Sequence, residues 1–541
     1  MDIYVNKCQY KVGEEIVLIV ENNKYINSCL QVFHLDELIL NKSLILEEGL
    51  NEIKLGKFPI GGYEVRLNDF STAFDVLIKT SDSPRYGFLS HFLDGDFEND
   101  ILLMNKYHIN LVQFYDWMYR HHNLVSLDKS YIDPMGRRII YDILKGKIEE
   151  VQKYGMMAIA YGAVYGAQQE YYNGNSDDLM YQNNDKPIIF IDKIGMMDIS
   201  KGTIWRKHII EEFKKTIEIV GFDGIHMDQY GFPKYAISKS SGLINMEEEI
   251  PTFINDAIDN LSNLKDEVII DFNYVNNWPI NTLGETKQEF AYIEVWEPNS
   301  TYGDLKRIID NAKLEKKGIQ VVLAAYIHPF QDDIPYEEKE SSTLLTMATI
   351  YASGGYCLLF GESKGILSDP YYVNYSKYND SFIKKIKSYQ DFIVKYKELL
   401  FAESVDISLT YSDGINSEVI FSHNVLAKLE AGNITSIIKK GKDYKTISLI
   451  NLTNQVSNLW CEGKKASNTI NNIKCTFLIY EEIESIYVAS PDSIDGRLLK
   501  LEYKYVKHEQ GRAIEFIVPS LEVWSLVYIK IKKYGDVYDG T

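Results

Sequence analysis

Two carboxylates stand where apolar runs stop. GIHMD (224–228) ends on Asp228 within the stretch GFDGIHMDQYG (221–231), and AYIEVW (291–296) carries Glu294 near its end. An ionisable side chain closing an apolar run is costly to bury unless it has a task. Each has a rival nearby. Asp223 precedes its run, and its odd spacing from Asp228 puts the two on opposite sides of a regular strand. Glu297 lies past the end of its strand, where solvent reaches it. Asp228 and Glu294 are therefore the candidates. Paired carboxylates among aromatic residues suit glycoside hydrolysis: one acid protonates the leaving oxygen, and one carboxylate attacks the anomeric carbon or activates water. Trp117, Trp278 and Trp296 offer faces on which sugar rings stack. Other runs close on Tyr115-Asp116-Trp117, followed by Tyr119-Arg120-His121-His122, on Tyr161 and Tyr165, on Asn273-Tyr274 and on Tyr326-Ile327-His328.

Those ends need elements to hold them. Between residues 86 and 361 eight compact apolar runs recur: YGFLSHF, NLVQFYDW, GMMAIAYGAVYG, GIHMD, VIIDFNY, AYIEVW, VVLAAYI and GGYCLLFG. Most are separated by stretches of helical periodicity, such as TIWRKHIIEEFKKTIEIV (203–220). Runs that are apolar throughout, alternating with helices, indicate a parallel sheet covered on both faces. Eight such units predict a (β/α)8 TIM barrel over 83–405, whose catalytic groups gather at the C-terminal ends of its strands. A doubly wound open sheet is the alternative, but no GxGxxG follows the first strand. Residues 1–82 carry short alternating runs with hairpin turns, predicting an immunoglobulin-like β-sandwich, and SDSPR (81–85) serves as a linker. Alternating runs return in VDISLTYSDG, YKTISLINLT, TFLIYEEIESIYVAS and AIEFIVPSLEVWSLVYIKI, predicting an antiparallel β-sandwich over 406–541. The polar stretch 167–187 after the third strand has the length and composition of a substrate-covering loop.

The bulk numbers narrow the partners. A chain of 541 residues exceeds what one hydrophobic core supports. With 77 acidic against 57 basic residues, the net charge of −20 opposes binding to phosphate backbones, so no nucleic-acid partner is expected. No run reaches the ~18–20 apolar residues of a membrane span. Five scattered cysteines form no CxxC pair, and the first residues lack a secretory pattern, which together predict a cytoplasmic protein with reduced thiols. Histidines 91, 121, 122, 226 and 328 fall near strands, yet LSHFLD offers one histidine where metallohydrolase barrels want a His-x-His pair, and HExxH is absent. They read as groups orienting substrate or carboxylates, with neither metal nor cofactor expected. Oligomeric state leaves no mark in the sequence.

Taken together, RYGFLSHF (85–92), FYDWMYRHH (114–122), GFDGIHMDQYG (221–231), YIEVWEPN (292–299) and GESKGILSDPYYVNY (361–375) resemble glycoside hydrolase family 66. That family contains dextranases and cycloisomaltooligosaccharide glucanotransferases. The resemblance implies a retaining enzyme acting on α-1,6-glucan, with Asp228 as nucleophile and Glu294 as acid/base. It implies sugar contacts from Tyr115 and Asp116, and more weakly from Asn273, Trp296 and Asp369; Trp117, His121 and Tyr161 complete the candidate substrate-binding set. The cyclising members carry an extra carbohydrate-binding module in the barrel, whereas 328–353 leaves no room for one between the seventh and eighth strands. A dextranase-like endo-hydrolase is therefore expected, with a cyclising transferase or other transglycosylase as the first alternative. A non-catalytic glucan-binding protein is the alternative from another class.

Overall fold

The computed structural model describes residues 1–93, 95–183, 185–408, 417–493 and 496–532. Its centre is a set of parallel strands that coincide with the apolar runs: β1 (Tyr86–Leu89), β2 (Leu111–Phe114), β3 (Met157–Ala163), β4 (Gly224–Asp228), β5 (Ile269–Phe272), β6 (Phe290–Glu294), β7 (Gln320–Ala324), β8 (Tyr356–Cys357) and β9 (Phe360–Gly361). The helices α1 (Glu98–Lys106), α2 (Tyr141–Lys153), α3 (Ile204–Lys215), α4 (Met246–Leu261), α5 (Tyr302–Glu315), α6 (Tyr336–Ser353) and α7 (Asp380–Lys395) lie between or after them. Local chemistry sets their ends. Thr301 and Asp304 form a reciprocal capping box at the start of α5. A left-handed Gly221 (φ 94°) ends the helical stretch before β4. Gly224 has no room for a side chain: a Cβ there would sit 2.0 Å from the Ile269 carbonyl, so glycine lets β4 lie close against β5.

Pairing runs β5-β4-β3-β2-β1-β9 in one eight-stranded sheet, completed by two short antiparallel strands, and β6-β7-β8 in a second. The expected single barrel thus appears as two recorded sheets rather than one closed ladder. Hydrogen bonding thins at two places. Between β5 and β6 there is one isolated parallel bridge, Asn273 to Tyr292. The eighth apolar run is split, with Leu358 donating its N–H to Leu323 of β7 while Leu359 accepts from Leu367.

The flanking regions are built from sheets. Residues 2–77 form a three-stranded and a five-stranded sheet, which share a core including Val5, Leu18, Val32, Val65 and Phe74. After the central strands, a seven-stranded and a four-stranded sheet enclose Ile447, Phe477, Ile486, Ile514 and Val527. Of the expected strand VDISLTYSDG, Val405–Asp406 pairs with the strand Ile434–Lys440, while 409–414 lie outside the described residues. The same holds for 533–541, at the end of the expected C-terminal sandwich, for Asp94 of LSHFLD and for Asn184 of the expected loop. Among the described residues no helix is long and apolar enough to cross a membrane.

Candidate active site

Asp228 and Glu294 close β4 and β6 and meet at one end of the parallel strands. Asn273, just past β5, joins them: its Nδ2 donates to Asp228 Oδ1 at 2.8 Å and to Glu294 Oε2 at 3.0 Å. One nitrogen reaching both holds those oxygens within about 6 Å of each other. Each carboxylate has further neutral donors, the Gln229 backbone for Asp228 and the Trp296 indole for Glu294 among them. The Tyr161 hydroxyl donates to Asp228 Oδ2 at 2.8 Å, and the Tyr326 hydroxyl donates to Glu294 Oε1. Burial, reinforced by the Asp228 charge, raises the Glu294 carboxyl above its usual range against the donors Tyr326 and Asn273. Burial also raises Asp228, opposed first by His226 and then by Asn273 and Tyr161. Asp223, at the other end of β4, ties elements together, accepting from Gln152, from the Ala158 backbone and from Lys265 at 2.7 Å.

The pair opens into a cavity of 570 Å³ whose walls include Tyr115, Asp116, His121, Tyr161 and Trp296. Tyr115 stacks on Tyr372 with ring centres 4.3 Å apart. Asp116 is buried in a left-handed backbone conformation (φ 51°), uncommon for a residue other than glycine. Burial pushes its carboxyl up to about 7, with Asp133 and Asp228 adding to the rise and Arg137 opposing it. His121 is held down to about 4 by burial and by its neighbour His122, so it stays neutral, with Nδ1 lacking a partner. Trp296 is 38% exposed at the rim and packs edge-on against Tyr326.

Three expectations need correction. Trp117 is not on the cavity: it is 1% exposed, packs on Phe222 and donates its indole N–H to the Tyr161 carbonyl. Its place in the chain beside Asp116 misleads, because the backbone leaves the strand after Phe114 and turns at the left-handed Asp116. Asp369 also misses the cavity wall, accepting instead from the Tyr371 backbone and from Gln331; its neighbours Pro370 and Tyr371 form that wall. The stretch 167–187 folds in part, contributing a strand (Gly166–Gln168) and a short helix (Gln169–Tyr172). The cavity residues lie just beyond it, at Phe190, Ile191 and Ile194. Asn273, by contrast, is central through the bridge it makes. Sequence reasoning passed over Gln229, Tyr230 and Tyr371 as wall residues. Tyr230, next to the DQ pair, stacks on Phe190 at 4.2 Å, a contact between loops that no local pattern announces.

Among the described residues no group of three His, Cys, Asp or Glu side chains is arranged to hold a metal ion. A half-buried carboxylate pair with neutral donors, open to an aromatic-walled cavity, is the equipment of a glycosidase-type enzyme. The sequence profile of Glycosyl hydrolase family 66 matches residues 60–528, and the chain belongs to that family. It is 23% identical to a cycloisomaltooligosaccharide glucanotransferase of Niallia circulans, over 98% of this chain and 71% of that protein. A dextranase of Streptococcus salivarius is 25% identical over 60% of this chain and 46% of its own length. In fold, the chain is similar to a cycloisomaltooligosaccharide glucanotransferase of Paenibacillus sp. solved in complex with cycloisomaltoheptaose. That likeness has a TM-score of 0.89 at 21% identity and covers 98% of this chain and 99% of the other.

Proposed function

We propose that this chain is a retaining glycoside hydrolase that cleaves α-1,6-glucosidic linkages of dextran or isomaltooligosaccharides, with Asp228 as nucleophile and Glu294 as acid/base. The observation that carries it is the Asn273 amide shared between the two carboxylates. A span within about 6 Å suits retention, which wants ~5–5.5 Å, better than inversion, which wants ~6.5–9.5 Å. In the first step an Asp228 oxygen bonds to the anomeric carbon as the bond to the leaving O6 breaks, and the Glu294 proton passes to that oxygen. The Asp228 charge is consumed in the β-glucosyl ester, which removes the repulsion that kept Glu294 protonated. Glu294 then takes a proton from water, whose oxygen displaces Asp228 and restores the α-configuration.

The same proposal includes the architecture: a (β/α)8 barrel over 83–405, with β8 and β9 as two pieces of its eighth strand, between β-sandwiches at 1–82 and 406–541. The bridge from Asn273 to Tyr292 and the pairing of β9 with β1 support it, since they carry the strand order back to its start. Hydrolysis is favoured over cyclisation by what this chain lacks. The alignment with the Niallia circulans transferase runs over 704 positions against 541 residues here, so that protein has stretches without a counterpart in this chain. Between β7 and β8, one short helical turn (His328–Phe330) and α6 fill the connection.

The test follows products over time from dextran and from end-labelled isomaltooligosaccharides, for wild type and Asp228→Asn. Short linear products released as the α-anomer, and lost in the variant, are the expected result. Cyclic products would move the assignment to the transferase. Binding of isomaltooligosaccharides without turnover would leave a glucan-binding protein.

A further inference from the structure

Directly beneath the carboxylate pair lies a second polar layer. His226 precedes Asp228 by two residues on β4, so both project to the same side. Across the ladder, His226 is in register with Asp271 on β5, two residues before Asn273. The upper layer is Asp228 with Asn273 and the lower layer is His226 with Asp271. In the lower layer His226 Nδ1 lies 2.6 Å from Asp271 Oδ2, and the Tyr86 hydroxyl of β1 donates to Asp271 Oδ1 at 2.8 Å. His226 is 2% exposed and Asp271 is fully buried.

The groups facing His226 are few. Tyr161 of β3 lies nearly parallel to its ring at 6.2 Å, and Tyr292 of β6 meets it edge-on at 4.5 Å, its own hydroxyl paired with Tyr372. The charged groups bearing on it are Asp271, Asp228 and Glu294. A fully buried Asp271 carboxylate with one tyrosine donor would be an unpaired charge in the interior, which is costly; an imidazolium beside it removes that penalty.

We propose that His226, Asp271 and Tyr86 form a buried charge anchor: Asp271 holds His226 as an imidazolium, and that cation decides which carboxylate above it carries the shared proton, leaving Asp228 ionised and Glu294 protonated. His226 and Asp271 are thus positioning residues that act through Asp228. Burial works against a charged imidazole, but the facing carboxylates outweigh it and raise His226 above its ordinary value. The role rests on the proposed retaining chemistry; the charge state of His226 does not.

Two readouts separate those claims. In the full-length protein labelled with ¹⁵N-histidine, the ring signal missing from His226→Gln should remain an imidazolium above the ordinary ~6.5, and should lose that state in Asp271→Asn. A neutral His226 ring at neutral pH would overturn the anchor whether or not the protein cleaves glucan. In the pH profile of kcat/KM on isomaltooligosaccharides, Asp271→Asn and His226→Gln should move the acid limb up by about half to one pH unit, the size expected for removing a buried ion pair whose positive end is nearer. A limb left in place, with activity reduced equally at every pH, would mean a merely structural role and would sink the proposal. If neither variant folds by circular dichroism, the wild-type titration decides alone: one buried imidazolium outlasting the other histidines supports the anchor, and its absence refutes it. Failure to turn over any α-1,6-glucan would count against the functional proposal only, with the ring titration still deciding the anchor.

Discussion

Glu362 and the pair Asp228 and Glu294 all stand at the C-terminal ends of the parallel strands, and the two cases are opposites. Glu362 follows β9 and is fully enclosed, whereas Asp228 and Glu294 are half-buried where they meet the cavity. Its Oε1 accepts from the Ser90 and His91 backbone N–H groups at 2.7 and 2.9 Å, and its Oε2 from Lys147 at 2.7 Å. Burial alone would raise its carboxyl, but the His91 hydrogen bond and the Lys147 charge bring it down to about 2. Asp228 and Glu294 are met mainly by neutral donors, the Asn273 amide, two phenols, the Gln229 backbone and the Trp296 indole, with His226 beneath Asp228, and both are raised. The difference between Glu362 and Glu294 lies in the immediate partners, a lysine and backbone amides for one and neutral side chains beside a like charge for the other. A group clamped by a cation and backbone amides is ionised for good and can only hold structure. Glu294, held by neutral donors beside the Asp228 charge, favours the form that carries a proton.

The sharpest way to break this contrast is to neutralise each group in turn. Asp228→Asn should lower turnover of α-1,6-glucan by at least about 10⁴-fold and Glu294→Gln by about 10²–10⁴-fold. Neither should lower the melting temperature, because desolvation disfavours the charged form of each carboxyl and the amide replaces it with a neutral group of the same shape. A large loss of stability in either would place the pair in the same structural class as Glu362. Glu362→Gln should do the reverse, destabilising the fold by about 3–5 kcal/mol by leaving Lys147 uncompensated, with activity falling only as the fold does. Its pH signature has a definite sign. The folded carboxyl is held below its unfolded value near 4.5, so its contribution is complete above that value and is lost as pH falls from there toward about 2. That stability amounts to about 3 kcal/mol. Denaturant titrations of wild type and Glu362→Gln should therefore converge toward the acid end of that window. For the raised pair the slope is opposite: stability falls as pH rises through their folded values.

Sequence alone went far on one side of this comparison. Apolar runs placed the starts of β1 to β7 within two residues and overran their ends by up to three, and the strand-end rule picked Asp228 over Asp223 and Glu294 over Glu297, because parity and strand direction are local properties. The same rule would have nominated Glu362, which also follows an apolar run. What disqualifies it is Lys147, reaching from α2 across 215 residues of sequence. Trp117 and Asp369 failed for a related reason: adjacency to a site residue says nothing of which way a side chain turns once the chain leaves the strand. Tyr326 was legible as a strand end but not as the donor to Glu294. Such contacts are made between elements, and no pattern within one of them records the partner.

The contrast can be sharpened by changing the donors rather than the carboxylates. Tyr326→Phe removes a hydrogen bond that favours ionised Glu294, so the Glu294 carboxyl should rise further. The alkaline limb of kcat/KM, where the acid loses its proton, should then move up by about one to two pH units, the equivalent of one hydrogen bond to a charged group. Tyr161→Phe should act on the other limb, moving the acid side up because Asp228 loses its own donor. If both variants moved the same limb, the division of roles between the two carboxylates would be wrong.

The smallest effect should come from the rim. Trp296 packs on Tyr326, its indole also reaches Glu294 as a donor, and it presents more than a third of its surface to solvent. Replacing it by alanine removes one stacking face, worth about 0.5–1.5 kcal/mol, so KM should rise by up to about tenfold, with a smaller fall in kcat from the lost donor to Glu294 and the melting temperature nearly unchanged. Trp117 is the control inside the same wall of strands. Its indole is sealed against Phe222 and bonded to the Tyr161 carbonyl, directly behind the Asp228 donor. Trp117→Ala should lose about 3–5 kcal/mol of stability and, by loosening Tyr161, should disturb kcat more than KM. Equal KM effects from the two tryptophans would mean that sugar reaches behind Tyr161, and that the cavity is deeper than the side chains now lining it.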